Sequence, residues 1–439
     1  MTRSCLLFAF VFPVLHATAC AQAAGQGVPP SSPPRIVSSL ADSAPDTGAS
    51  LSSFIEQALK SNPSLQASQD RALGAGARIT QATAWDDPQV GVEFYATPIT
   101  SANPFTRGME TDYFVQQMIP LFGKRGLMGD AAAAGARMAE QSAQAVERTL
   151  VADVKKTYAM IYAAQCRINV NTENQRLLNQ ISESALTRYA VGMVSQSDVL
   201  KIQVEVGKLR NERTGLDQEL AAGASMMNAL RGLPANAPIG RVATPSMKQM
   251  PGTLEAWTAR ALENRPELLG MNSELEMNRA DLSASERERV PDLMVRGMYK
   301  QMKEGTDQWA AMFSINIPIA PWAGGKYTGR IEENTLAVTA TEHSIAAMRN
   351  MVQAEVRDAW SKASSRWEQI ERYRQSILPQ AQQALESGLR SYETSRVDFL
   401  SLLDSYRMLE MMKMEYYMLE GEYIGSVALL ERAVGTELR

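Results

Sequence analysis

The chain has 439 residues, a formal net charge of −4, three cysteines and two histidines. An acidic balance argues against a nucleic-acid binder, which carries a basic face, and so few cysteines and histidines supply neither a disulfide framework nor a spaced metal-ligand set. No phosphate loop follows a strand and no nucleophile–base motif stands out, so the chain is not expected to be an enzyme or to hold a cofactor or resident metal.

The amino terminus reads as an address. Arg3 gives a positive start, residues 5–15 an apolar run, and Ala17-Thr18-Ala19 and Ala21-Gln22-Ala23 two cleavage-type triplets. Residues 1–23 are therefore expected to be a signal peptide, cut after 19 or 23. The apolar run is too short to cross a bilayer as a helix. Cys20 has two readings. One is a lipid-attachment site, since small residues precede it although the Leu that such a signal carries several places earlier is absent; the other is a leader residue or the mature amino terminus. Residues 24–50, with Val28-Pro29-Pro30-Ser31-Ser32-Pro33-Pro34, predict a Pro/Ser-rich tether without a core of its own.

Two structural repeats follow, 51–250 and 251–439. Ala58-Leu59-Lys60-Ser61-Asn62-Pro63-Ser64-Leu65 returns as Ala261-Leu262-Glu263-Asn264-Arg265-Pro266-Glu267-Leu268, and at the same offset Pro88 becomes Pro291, Tyr189 becomes Tyr392 and Gly232 becomes Gly435. A constant offset over most of a chain marks duplication of a structural unit. In the first copy an amphipathic helix over 51–60 stops before Pro63, and a second runs from about 64 to 85. Pro88 then switches the pattern to period two, giving strands at about 89–97 and 111–119. The second copy predicts strands at about 292–300 and 309–318.

Strand parity carries the functional information. Val90, Val92, Phe94 and Ala96 superpose on Leu293, Val295, Gly297 and Tyr299, so the apolar face is the same in both copies, while Glu93, Gln116, Arg296, Lys300 and Asn316 take the other. Apolar outside and polar inside over strands of about ten residues fits a transmembrane β-barrel wall; a soluble hairpin with one buried face alternates identically, and the export signal favours the barrel. Four strands cannot close, and edges cannot be left open in lipid, so several chains must share one barrel.

Long helices set the scale. From 127 to 192 there is no proline, which predicts a helix on the order of 100 Å. Val151, Val154, Tyr158, Ile161 and Ile168 form a coiled-coil-like seam, interrupted by the polar Gln165, and Cys166 reads as a small packing residue. The second copy repeats the seam at Val356, Trp360, Ala363, Trp367 and Ile370, with Pro379 expected to disturb its helix. Return helices at about 196–231 and 397–434 supply the partners.

With the duplicated units stand two tip sequences, Tyr189-Ala190-Val191-Gly192-Met193-Val194-Ser195-Gln196-Ser197-Asp198 and Tyr392-Glu393-Thr394-Ser395-Arg396-Val397-Asp398-Phe399. Together they resemble TolC-type outer-membrane efflux proteins over residues from about 51 to 439. The resemblance implies a mainly α fold with a β-barrel portion: a homotrimer whose chains each give four strands to a twelve-stranded outer-membrane barrel, continuing into a periplasmic α-helical barrel. It implies an exit duct working with a periplasmic adaptor (membrane fusion protein) and an inner-membrane RND-type pump, in contact with outer-membrane lipid and with no nucleic acid. The tips, including Gly192, Val194, Ser195, Ser395 and Val397, are where such proteins dock the adaptor and close an iris. The Tyr and Asp that hold the iris shut fall on Tyr392 and Asp198, and the family's lumen-facing aspartates fall on Ser401 and Asp404. The Arg of that network falls on Val397, with Arg396 beside it, and Ser395 stands where a glycine is expected.

The segment Phe399-Leu400-Ser401-Leu402-Leu403-Asp404-Ser405-Tyr406-Arg407 looks closest to the heavy-metal branch (CzcC and CusC type), with metal cations as cargo. Thioethers of a methionine cluster at Met408, Met411, Met412, Met414 and Met418 suit soft metals, although methionine on a seam more often fills packing gaps. The alternatives are a multidrug or protein-secretion duct of the same family and, in a different class, a trimeric structural tether or adhesin.

Overall fold

The computed structural model describes residues 48–95, 110–192, 194–318, 322, 324–394 and 396–437. The signal peptide, Cys20, nearly all of the 24–50 tether, Ala96 with the loop after it, and Ser395 lie outside the described residues. Helices α1 (Leu51–Ser61) and α2 (Pro63–Thr83) lead into strands β1 (Gln89–Tyr95) and β2 (Glu110–Ile119), then α3 (Lys124–Ala190) and its return α4 (Gln196–Leu230). The second copy runs α5 (Leu254–Asn264), α6 (Pro266–Arg287), β3 (Leu293–Met302), β4 (Gln308–Ile315), α7 (Gly324–Arg372), a π-turn (Tyr373–Ile377), α8 (Leu378–Glu393) and α9 (Phe399–Val434). The strand expected to reach 318 ends at Ile315; just beyond it Asn316 still meets Asp292, its N–H donating to Asp292 O at 3.3 Å while its side-chain oxygen, in place of its carbonyl, accepts the Asp292 N–H at 2.6 Å.

The duplicated sequence folds alike with different chemistry at one junction. Asn62 caps α2 by accepting from the Ser64 and Leu65 N–H groups at 2.9 and 3.0 Å, and its own amide donates to Leu230 O at 2.9 Å. Its repeat counterpart Arg265 makes no such cap. The Arg265 side chain is buried and meets Glu355 at 2.6 Å and Glu267 at 3.3 Å. Gly232 and Gly435 end the return helices of the two copies with φ +67° and +78°, and a Cβ on either would sit 2.6 or 2.7 Å from a backbone oxygen, of Ser61 or of Asn264. Left-handed backbone costs an L-residue about 1–2 kcal/mol before any clash. Gly435→Ala and Gly232→Ala are each expected to lower stability by at least that much, read as a lower denaturant midpoint of the helical signal.

The sheet is antiparallel throughout, in the order β1-β2-β3-β4, so the two copies meet at β2–β3. Core residues form four clusters strung along the length rather than one centre. Helix α3, 67 residues long, spans about 100 Å. Its seam residues Val154, Tyr158 and Ile161 are buried. Gln165 interrupts that seam because its amide reads backbone, with Oε1 accepting from Val242 N–H at 3.1 Å. The last tether residues are stitched down as well: Ala49 makes a parallel bridge to Val242, and Tyr158 donates to Ala243 O at 2.6 Å. The segment between α4 and α5 thereby wraps the helices at mid-length, held on its other side by the Tyr423 hydroxyl donating to Lys248 O.

Val356, Ala363 and Ile370 of α7 are fully buried. Ahead of Pro379 the chain widens into the π-turn, where Leu378 N–H reaches back to Tyr373 O. Proline supplies no N–H to the ladder and its ring crowds the carbonyl four residues back; a wider turn accommodates both without ending the helix. Among the described residues no helix is long and apolar enough to cross a membrane.

Candidate functional site

Two places can do work, the sheet and the helical tips at the far end of α3. Cross-strand register assigns every strand residue to a face. Val92, Tyr113, Tyr299 and Trp309 form one continuous row, as do Val90, Val115, Gly297 and Ala311. This face is uncovered, with Val90 77%, Trp309 83% and Phe313 70% exposed. Near the loop end, Tyr299 stacks between Tyr113 and Trp309 with ring centroids 6.4 and 5.1 Å away, an aromatic band of the kind found at membrane interfaces.

The opposite face is polar and partly covered by itself. Along β4 exposure alternates with period two, the polar-face residues being the half-buried ones. Glu93 and Arg296, repeat counterparts 203 positions apart, form an ion pair across β2, and the Arg296 guanidinium lies 3.6 Å from the Phe114 ring centre. Lys300 bridges Glu110 at 2.7 Å and Asp112 at 3.2 Å. Paired charges facing a common side, with apolar residues facing the other, make a wall suited to water within and hydrocarbon without.

At the first tip α3 ends at Ala190 and Gly192 takes the left-handed position, φ +77°. Ser195 caps α4 through a reciprocal pair with Asp198: the Asp198 N–H donates to its Oγ at 3.2 Å, and that hydroxyl donates to Asp198 Oδ2 at 2.8 Å. Lys201 lies 3.5 Å from Asp198 Oδ1. Val194 is half-buried beside these groups. At the second tip, which lacks the glycine, the Arg396 N–H closes onto Ser391 O at 2.8 Å, a Schellman-type bond spanning position 395. Asp398 caps α9, its carboxylate accepting from the Ser401 hydroxyl and from the Ser401 N–H at 3.1 Å, and these two bonds hold it below the usual carboxylate range. Val397 packs against the apolar cluster at this end.

Tyr392 is buried at the end of α8, edge-on to Phe399 at 6.1 Å. Its hydroxyl has no hydrogen-bond partner among the described residues, so within one chain it does not bond to Asp198. What ties the two tips together is Arg188 of α3, whose guanidinium lies 4.7 Å from the Tyr392 ring centre and donates to Tyr392 O at 3.2 Å. Sequence reasoning missed Arg188. It precedes the first-copy tyrosine, but its partner lies in the other repeat and no local pattern joins them. Asp404 sits on an uncovered stripe of α9 with Leu400, Met408, Met411 and Met418, and its nearest cation is Arg407 at 3.7 Å. Met412 packs into the core instead, so the methionine cluster divides between surface and interior. Cys166 packs beside the mid-length core, where burial pushes its thiol up.

The profile of the outer membrane efflux protein family matches residues 54–230 and 257–436. The cobalt-zinc-cadmium resistance protein CzcC of Cupriavidus metallidurans is 25% identical over 328 residues, spanning 72% of this chain and 75% of the relative. Among solved structures, CusC superposes with a TM-score of 0.76 at 17% identity, covering 88% of this chain and 92% of the other. VceC of Vibrio cholerae does so with a TM-score of 0.75 at 18% identity, covering 89% and 97%. The mainly helical fold with its small sheet is therefore that of solved outer-membrane channels.

Proposed function

The chain belongs to the outer membrane efflux protein family, and from that premise we propose that three copies close their sheets into one barrel and form the exit duct for metal cations. Proteins of this family are the outer-membrane component of tripartite efflux systems, so the chain is an outer-membrane efflux channel with a periplasmic helical extension, working with an adaptor and a pump.

The observation that carries the finer reading is the sheet. Its apolar face is uncovered, its polar face is lined by paired charges, and β1 and β4 each have one unpaired edge among the described residues. Open edges cannot face lipid, and closing them with identical copies encloses the polar side. Cations as cargo are supported by the name of the relative CzcC and by Asp404, whose exposed carboxylate becomes a ring when copies surround a pore. In this reading Asp198, Tyr392 and Asp404 shape the periplasmic aperture, the tips at Gly192, Val194, Ser195, Ser395 and Val397 meet the adaptor, and an inner-membrane RND-type pump supplies the energy.

The test is single-channel conductance in planar bilayers. Wild type is expected to give small cation-selective currents that divalent cations block. Asp404→Ala should raise the blocking concentration about tenfold, equivalent to about 1.4 kcal/mol of binding per site, and Asp198→Ala with Tyr392→Ala should enlarge the currents. Block unchanged in Asp404→Ala would remove that residue from the aperture, and currents indifferent to divalents would favour a drug or protein duct. A folded assembly that stays silent even with both tip substitutions would be a tether.

A further inference from the structure

The α8–α9 hairpin lies against the α3–α4 hairpin along an apolar seam, and beside that seam one carboxyl is left without a counter-charge of its own. Glu410 of α9 has a buried Oε1 with no hydrogen-bond partner among the described residues, and so do Asn174 Nδ2 on α3 and the Tyr406 hydroxyl on α9. Tyr406 is 1% and Asn174 8% exposed. Tyr406 lies one turn before Glu410 on α9, and the Asn174 amide of α3 stands close enough to the Glu410 carboxylate to favour its ionised form without completing a hydrogen bond of good geometry.

The charges around it are unfavourable. From α4, Glu205 and Glu212 both face Glu410, and with Glu415 they line a cavity of about 560 Å³ at its side. Nearby cations are engaged elsewhere: Arg407 with Glu205 at 2.7 Å, Lys208 with the same carboxylate at 3.4 Å, and Arg167 of α3 with Glu219 at 2.9 Å. On α8 the exposed Glu386 and Arg390 pair with each other at 3.9 Å. Burial first, then the charges of Glu212 and Glu205, push the Glu410 carboxyl up to about 7, against the opposite pull of Asn174 and Arg407.

A second feature gives this group something to control. The π-turn Tyr373–Ile377 stands where α8 begins, whereas α3 runs its 67 residues as one α-helix. Sharp kinks in long helices concentrate at prolines and π-bulges, and both stand at the start of α8, so the second hairpin has a place to bend that the uninterrupted α3 lacks.

We propose that Glu410 is a proton-controlled clasp between the two helical hairpins: protonated, it lets α8–α9 seat on α3–α4, and ionised, it favours their separation. The physical reason is that an ionised carboxylate with like charges around it and no cation of its own is costly to bury, and lifting α9 returns it to water. A carboxyl that holds its proton more tightly when seated than when solvated stabilises the seated arrangement fully below about pH 4, the ordinary carboxylate range. That support is lost as pH rises toward about 7. Bringing the hairpins apart opens the tips, a consequence that rests on the duct reading; the clasp itself does not.

Two readouts on the purified full-length assembly separate the possibilities. Ala185, fully buried in α3 at this seam, is replaced by Cys in a Cys166→Ser background, and its thiol-labelling rate is compared at each pH with the same protein carrying Glu410→Gln. The ratio cancels the pH dependence of thiol chemistry. It is expected to be near one at pH 4 and to rise as pH approaches 7, exceeding about tenfold by pH 8, since each pH unit of displaced titration supports a tenfold change in equilibrium, with channel open probability following the same curve. Glu212→Gln, which keeps Glu410 but removes a like charge, should move the midpoint to lower pH. A flat ratio, or a pH dependence that persists unchanged in Glu410→Gln, overturns the clasp. Silent channels with a pH-dependent ratio would instead sink the duct reading and leave the clasp standing.

Discussion

Phe313→Arg is expected to abolish assembly into the outer membrane, while Met312→Arg, one residue away, is expected to leave it largely intact. Phe313 lies on the uncovered apolar face of β4, and Met312 on the half-buried polar face opposite Arg296. An arginine facing hydrocarbon costs about 2–4 kcal/mol per chain near the bilayer centre, and every chain in a closed ring bears that cost. The measurement is the yield of heat-modifiable, detergent-resistant assembly in isolated outer membranes. Equal loss from both substitutions would mean that the sheet is not a lipid-facing wall.

The second large effect is expected at mid-length. Tyr158 is 1% exposed, packs edge-on to Phe54 at 5.8 Å, and donates to the backbone that joins the tether to the inter-repeat segment. Tyr158→Ala removes a large buried aromatic, a change that costs about 3–5 kcal/mol in other cores, and it leaves Ala243 O without its donor. Tyr158→Phe keeps the ring and should cost only about 1 kcal/mol. Thermal unfolding followed by helical circular dichroism measures both. Limited proteolysis between 231 and 253 should show early cleavage in the alanine variant only, because that segment is then released from α3.

How far the fold could be read from sequence depends on the range of the interaction. The seam at Val154, Tyr158 and Ile161 and the strand parity were legible because burial repeats every few residues along a single element. The reason Gln165 breaks the seam was not legible, since its partner at Val242 lies beyond the return helix. The junction at Asn62 and Arg265 shows the same limit in the duplicated sequence. Matching positions keep the backbone but exchange a cap for a buried ion cluster; the change from Asn to Arg and the neighbouring Glu267 are visible locally, whereas Glu355, which meets the arginine at 2.6 Å, lies far along the chain. At the tips, the capping pair Ser195–Asp198 follows from spacing alone, whereas Arg188 on Tyr392 and the isolation of Glu410 arise where one repeat meets the other. Pro379 announced a disturbance, but the answer to it, an extra residue in the preceding turn, is a choice that the local sequence leaves open.

The edges of β1 and β4, unpaired among the described residues, have a genetic consequence. In the proposed three-chain barrel two joined chains still present two open edges, so the pair is no better suited to lipid than the single chain, and only the third chain ends the liability. Partial rings then confer nothing. A subunit whose β1 edge cannot pair, co-expressed in equal amount with wild type and assorting at random, would leave roughly one-eighth of rings composed of intact chains alone. Such an allele should behave as a dominant poison rather than a recessive loss, and its severity should track its share of the expressed protein.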